Sequence, residues 1–169
     1  LLAKMKNSFD QLERDWKVYV SEMDYGIDVA AAATVDVRAK PDKTRANQYS
    51  VEIDSQAGWH RTDIEIPAGS RCKIEAPGQF QIKKEQGKPW MSGAGGVTIQ
   101  YHHRRPLGQL LVAVEQDLLK PQSITRPQGN QPLEFKQKGR LCLRINDNLA
   151  QLDDNQGKLT VKIEIVSGK

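Results

Sequence analysis

No run of about 18 consecutive apolar residues occurs in the chain, so no segment reads as a membrane-spanning helix. Charge of one sign is not in excess: 25 basic and 21 acidic residues leave a formal net charge of +4. That balance is too even for a dedicated nucleic-acid binder. Cysteine is scarce. Cys72 and Cys142 lack the paired spacing of a zinc site. Each lies in a strand pattern, where a buried thiol is common. A disulfide between them would require neighbouring strands. Internal repeats and low-complexity tracts are missing, and so are the motifs of catalysis. Gly93-Ala94-Gly95-Gly96 lacks the Lys-Ser/Thr ending and following helix of a phosphate loop. No Ser, His and Asp stand in a nucleophile motif. Asp153-Asp154 are adjacent in sequence, whereas glycosidase carboxylates face each other from separate strands. The expectation is a protein that is not an enzyme.

What is present suffices for a folded domain. A chain of 169 residues buries a proper core, and its 38% hydrophobic and 27% charged residues are typical of a soluble globular protein. Met5, Phe9, Leu12, Trp16, Tyr19, Val20 and Met23 recur at gaps of three and four, which predicts an amphipathic helix over 4–23, with Gly26 as its stop. Its aromatic stripe needs a cover, either its own domain or a second copy or partner chain. Ile27 to Val37 alternates toward its end and favours a strand, although its alanines keep helix open. Arg38 to Asn47 is charged, contains Pro41 and shows no period. The expected organisation is a helix and extended segment over 1–40, a linker over 41–48 and one domain over 49–169.

From Val51 onward the texture changes to eight or nine short alternating strands punctuated by Pro67-Ala68-Gly69, Pro77-Gly78 and Gly139. This pattern predicts a β-sandwich or barrel rather than an α/β fold. Tyr101-His102-His103-Arg104-Arg105 is a compact basic cluster, suited either to a solvated hairpin tip or to a phosphate, sulfated or acidic glycan. As neighbours in a strand, His102 and His103 would point to opposite faces.

The chemistry concentrates near the end. Between the alternating segments Leu141–Ile145 and Leu159–Ile165 lies a loop with Asn146, Asp147, Asn148, Asp153, Asp154 and Asn155. None of its residues from 146 to 157 is Lys or Arg. Crowded carboxylates repel unless water or a cation screens them. Calcium takes six to eight oxygens from carboxylates, amides and carbonyls, so this loop is the best metal candidate in the chain. Asn, Asp and Gly also dominate plain turns, and the spacing does not match the helix-loop-helix calcium motif.

Taken in order, several stretches add up: Trp59 to Gly69, Cys72 to Phe80, Pro106 to Leu111, Leu133 to Phe135, Gly139 to Asp147 and Asp154 to Val161. Together they resemble the LecA-type bacterial lectins, calcium-dependent galactose binders, and their galactose-binding-domain-like β-sandwich relatives. The resemblance covers about residues 48 to 167. Its strongest part is the closing strand, Asn146-Asp147, loop, Asn155-Gln156-Gly157, strand. It implies a mainly β, jelly-roll-type antiparallel sandwich preceded by the helix. It also implies a calcium ion held by Asp147, Asp154, Asn155, the main-chain carbonyl of Gln151 and a carbonyl near Ile82. Ligand hydroxyls or water would complete the shell.

The family's recognition loop offers a His and a Gln to galactose. The matching stretch here, Lys88 to Gly96, has neither, but holds Trp90. Trp90 could stack on a sugar face or plug the core beneath the loop. The implied function is a non-catalytic module binding a carbohydrate or other polar small ligand through Trp90, Asp147 and Asp154. The alternative is a structural or interaction domain of a larger cell-envelope protein. The chain opens on Leu1-Leu2 rather than Met. The expectation drawn from this is a longer parent with a signal or anchor segment upstream, and hence an extracytoplasmic location.

Overall fold

Strict apolar alternation along the chain produces strands with one buried face, and the strands assemble into two sheets. The computed structural model describes residues 9–22, 37–118, 120–129 and 131–166. They form a helix α1 (Phe9–Glu22) and strands β1 (Val37–Ala39), β2 (Asp42–Arg45), β3 (Gln48–Asp54), β4 (His60–Ile66), β5 (Ser70–Glu75) and β6 (Phe80–Glu85). Strands β7 (Lys88–Ser92), β8 (Gly95–His102), β9 (Arg105–Val114), β10 (Leu133–Phe135), β11 (Gly139–Ile145) and β12 (Lys158–Val166) follow. One five-stranded sheet runs β1-β4-β11-β9-β8, the other β10-β5-β12-β3-β2, and β6-β7 form a separate hairpin. All pairings are antiparallel except β1 with β4. The expected mainly β sandwich preceded by a helix is the architecture found.

The main core lies between the sheets. Val51, Ile53, Ile74, Leu159, Val161 and Ile163 from one sheet meet Ile64, Ile66, Leu110, Val112, Leu141, Leu143 and Ile145 from the other. A second cluster covers the outer face of the β4-β11-β9 region: Val18, Trp59, Leu111, Ala113, Leu118, Ile124, Cys142, Leu149 and Leu152. Strand β9 is therefore buried on both faces from Leu107 to Val114. That two-sided burial explains why Leu111 breaks the alternation of Leu110, Val112 and Val114. Cys72 and Cys142 lie in β5 and β11, in opposite sheets, and form no disulfide. Burial pushes the Cys72 thiol up to about 12, which makes it inert.

Residues 41–48, expected as a linker, hold β2 and its turn into β3, and β1 joins the other sheet through Val37, Arg38 and Ala39. β2 is exposed along its whole length. A fully solvated edge strand carries no apolar alternation, so periodicity gave no sign of it.

The helix seats differently from its expected stripe. Val18 is buried in the second cluster, and Asp15 pairs with the buried Arg61 of β4. Glu115 adds a longer ionic contact to Arg61 at 3.9 Å. Leu12, Trp16 and Val20 stay 45%, 60% and 45% exposed. The seat runs through positions 15 and 18, three apart on one face, because a buried guanidinium demands its carboxylate. Met5, Met23, Gly26 and the segment 27–36 lie outside the described residues, as do the side chains of Phe9 and Tyr19. Among the described residues no helix is long and apolar enough to cross a membrane.

His60 is held as a neutral ring. Its Nε2 accepts the Asp54 N–H at 2.9 Å, and Nδ1 lies 3.1 Å from the Gly58 carbonyl, the arrangement of an Nδ1–H tautomer. Burial pushes its pKa below the ordinary value, against the raising influence of the Gly58 carbonyl and Asp54. A depressed folded pKa means the unfolded chain takes up the proton first. The stability His60 contributes is present above about pH 6.5 and is lost as pH falls toward the folded value. Between pH 7.5 and 5.5 the melting temperature of the parent should therefore drop relative to that of His60→Gln, a difference in which the opposite contribution of Asp147 cancels.

Candidate functional site

Strand β11 ends at Ile145, and the next residue fixes everything beyond it. Asn146 is buried, and its Nδ2 donates toward the carbonyls of His102, Arg105 and Pro106 at 3.1, 3.0 and 2.9 Å. An amide has two hydrogens, so one of these contacts is shared. Its backbone adds two bonds, Asn146 N–H to Gln109 O and Gly108 N–H to Asn146 O, both 2.8 Å. Asn146 thus clamps the β8-β9 hairpin to the start of the acidic loop.

The loop itself is a short 3-10 turn over Leu149–Asp154. Asn148 caps it, its Oδ1 accepting the Ala150 N–H at 2.9 Å. Leu149 and Leu152, three apart, tuck into the second cluster. This turns Gln151 and Asp153 to solvent, leaves Asp154 half-buried and buries Asn155.

Asp147 is the unusual residue. It is 2% exposed. Its Oδ1 accepts the Asn148 N–H at 2.7 Å, while its Oδ2 is buried with no hydrogen-bond donor. Buried Arg144 lies alongside, and its Nη2 donates to the Asp147 main-chain carbonyl at 2.5 Å. Burial pushes the Asp147 carboxyl up to about 6. Asn155 and the Asn148 N–H oppose that rise, Asp154 adds to it, and Arg144 opposes it again. Ionised at neutral pH, the carboxylate costs about 3 kcal/mol relative to its solvated state. Asn155 shows the same signature. Its Nδ2 donates to Ser55 O at 2.9 Å, and its Oδ1 is buried without a donor.

The β6-β7 hairpin docks on the far side of this loop. Gln81 and Gln156 exchange backbone bonds of 2.9 Å in both directions, and Gln81 Nε2 donates to Asp154 O at 2.7 Å. The β6-β7 register slips by one between Gln81 and Lys83, which makes Ile82 a bulge residue. A bulge leaves the extra residue out of the ladder. The hairpin thus brings Ile82 to within one residue of the Gln81–Gln156 bridge. Trp90 is half-buried against the main core, with Lys83 Nζ 5.0 Å above its ring.

Among the described residues no three His, Cys, Asp or Glu gather. The oxygens this loop offers are one buried carboxylate, one half-buried carboxylate, an amide and main-chain carbonyls. That is a hard-cation set rather than a transition-metal set. The two donor-less buried oxygens fit such a cation. Sequence reasoning singled out Asp147, Asp154 and Asn155 but missed the residues that aim them. Asn146 stood among the loop's oxygens but acts through its nitrogen. Gln81 and Ser55 carry no sequence signal, since both act through partners more than 70 positions away. His102 and His103 also differ from the strand expectation. Their ring centroids lie 4.1 Å apart, because His103 sits in the turn with φ 48° rather than in the strand.

Two outcomes are expected here. Asn146→Ala strands three carbonyls and should cost about 2–4 kcal/mol in denaturant unfolding. Asp147→Asn removes a charge that burial disfavours and should melt about 4 °C or more above the parent in chelator at pH 7.5.

Compared with protein-family models and with curated proteins, the sequence gives no match. Among solved structures it is similar to the EclA N-terminal domain, titled a PllA-like lectin, at 20% identity and a TM-score of 0.53. The alignment covers 72% of this chain and 100% of that one. The fold is thus a lectin-like β-sandwich.

Proposed function

We propose that this chain is a non-catalytic carbohydrate-binding module whose ligand is held at a calcium ion in the loop of Asp147, Asp154 and Asn155. The observation that carries this reading is the pair of buried, donor-less oxygens, Asp147 Oδ2 and Asn155 Oδ1. A folded chain rarely leaves two such acceptors in one loop, because each forfeits its solvation without return. The lectin-like architecture supports the ligand class.

In this reading Asp147 Oδ2, Asn155 Oδ1 and the Asp154 carboxylate hold the ion, with the main-chain carbonyls of Gln151 and Ile82. Bound there, calcium supplies a positive charge between the carboxylates and open coordination positions for ligand hydroxyls. Asn146 and Gln81 keep the two sides of the loop at fixed separation, and Arg144 fixes the Asp147 backbone. The core holds one side of Trp90 and Lys83 stands over the ring, so Trp90 contributes an edge of the ligand surface rather than a bare stacking platform.

Calcium calorimetry and thermal melting test the reading. With a dissociation constant of about 10⁻⁴ M, ten millimolar calcium stabilises the parent by about 2.7 kcal/mol. Asp147→Asn should show neither the heat nor the shift. Neutral glycans on an array should bind in calcium and wash off in chelator. A parent that gives no heat and no melting shift ends the calcium part of the reading, and an array unaffected by chelator ends the coupling between ion and sugar.

A further inference from the structure

The basic cluster at 101–105 plays no part in the loop chemistry, yet the fold builds a site around it. A cleft of about 300 Å³ opens between the β8-β9 hairpin and the segment at 124–128. Arg104, Arg105 and Arg126 line it, together with Gln109 and Thr125, and no acidic residue does among the described residues. Arg104 and Arg126 are exposed and pair with no carboxylate among the described residues. The exposed guanidinium groups of Arg104 and Arg126 at one cleft repel each other unless an anion joins them, and the guanidinium fork matches an oxyanion with two parallel bonds.

Both walls of the cleft are pinned in advance. Arg105 Nη2 donates to Ile124 O at 3.0 Å, and Val112 and Thr125 exchange backbone bonds of 2.9 and 2.8 Å. Asn146 clamps the hairpin stem through the Arg105 and Pro106 carbonyls. The two-residue turn at its tip puts His103 and Arg104 at φ 48° and 63°. That geometry favours Asn-Gly, and a His-Arg pair there keeps its side chains at the expense of backbone ease. Gln109 is buried, with its Oε1 lacking a donor, and its carbonyl accepts from Asn146 N–H, next to Asp147. The arginine cleft and the acidic loop thus share one clamp at one end of the sandwich.

We infer that this cleft receives the oxyanion of an acidic carbohydrate, a sulfate ester or a uronic carboxylate, while the same ligand's hydroxyls engage the Asp147 loop. The inference rests on the carbohydrate reading above and adds the ligand class to it. Two opposite charges at one end of a module fit a ligand with both hydroxyls and an anionic group. A nucleic acid would call for a longer basic track than three arginines.

The test is a glycan array of matched pairs, read in calcium at 0.15 M salt, where weak long-range attraction is screened. Some pairs differ by one sulfate, others by one uronic carboxylate, so the two sources of the oxyanion are told apart. The charged member of at least one kind should bind about tenfold more tightly, the scale of one charge-assisted contact. Arg104→Asn combined with Arg126→Gln should erase the preference to about twofold or less. Asn tolerates the left-handed turn position, so the melting temperature should stay within about 2 °C of the parent. Equal binding of both members in the parent overturns the inference and leaves the carbohydrate reading standing. A preference that survives the double substitution also overturns it. So does tighter capture of a single-stranded oligonucleotide or an anionic phospholipid vesicle than of any sulfated glycan. Silence across every glycan, neutral members included, removes both readings together.

Discussion

One buried amide sets the geometry on which both candidate binding features depend. Asn146 gives its side-chain hydrogens to carbonyls of the β8-β9 hairpin and its backbone groups to Gln109 and Gly108. A buried amide is costly without partners and specific with them, since only one placement of the hairpin satisfies it. The residue after it has no choice of direction, and Asp147 is driven into the interior. The hairpin, held from the other side, sets its arginines at the mouth of a cleft. The burial of Asp147 and the placing of the arginines at the cleft both follow from the same contact.

A second constraint is the burial of β9 and β11 on both faces. A sandwich normally turns the outer face of each sheet to water, but here Trp59, Leu111, Ala113 and Cys142 lie under a second apolar layer. Whatever polar group falls on that face loses its water and must find a protein partner. Arg61 finds Asp15 and Glu115, which seats the N-terminal helix. Arg144 finds the Asp147 carbonyl. The buried charges therefore work as registration points that select one docking of the outer layer, while the apolar contacts supply the bulk of the stabilisation.

The strands with one buried face were legible in the sequence. Val51 and Ile53, Ile64 and Ile66, Leu141 to Ile145 and Leu159 to Ile163 all alternate as a sheet pressed on a core requires, and each is where the alternation put it. The solvated edge strand β2 was not legible, because a strand with no buried face leaves no period behind. The helix was legible as a helix, but its seat was not. Val18 stood outside the apolar stripe, and Asp15 counted only as part of a solvated face. Both positions are decided by Arg61, which lies 46 positions beyond Asp15.

By itself the sequence determined the fold class, the strands with a buried face and the presence of a loop crowded with side-chain oxygens. These are local quantities: periodicity, turn chemistry and composition over a dozen residues. Only the tertiary structure decided which of those oxygens are buried, which have lost their donors and which face water. Asn148 became a cap, Asp153 went to solvent, and Asp147 and Asn155 went inside. The physical reason is that desolvation belongs to the packed assembly. A carboxylate is costly to bury only once Asn146, Gln81 and Ser55, from distant parts of the chain, have closed around it.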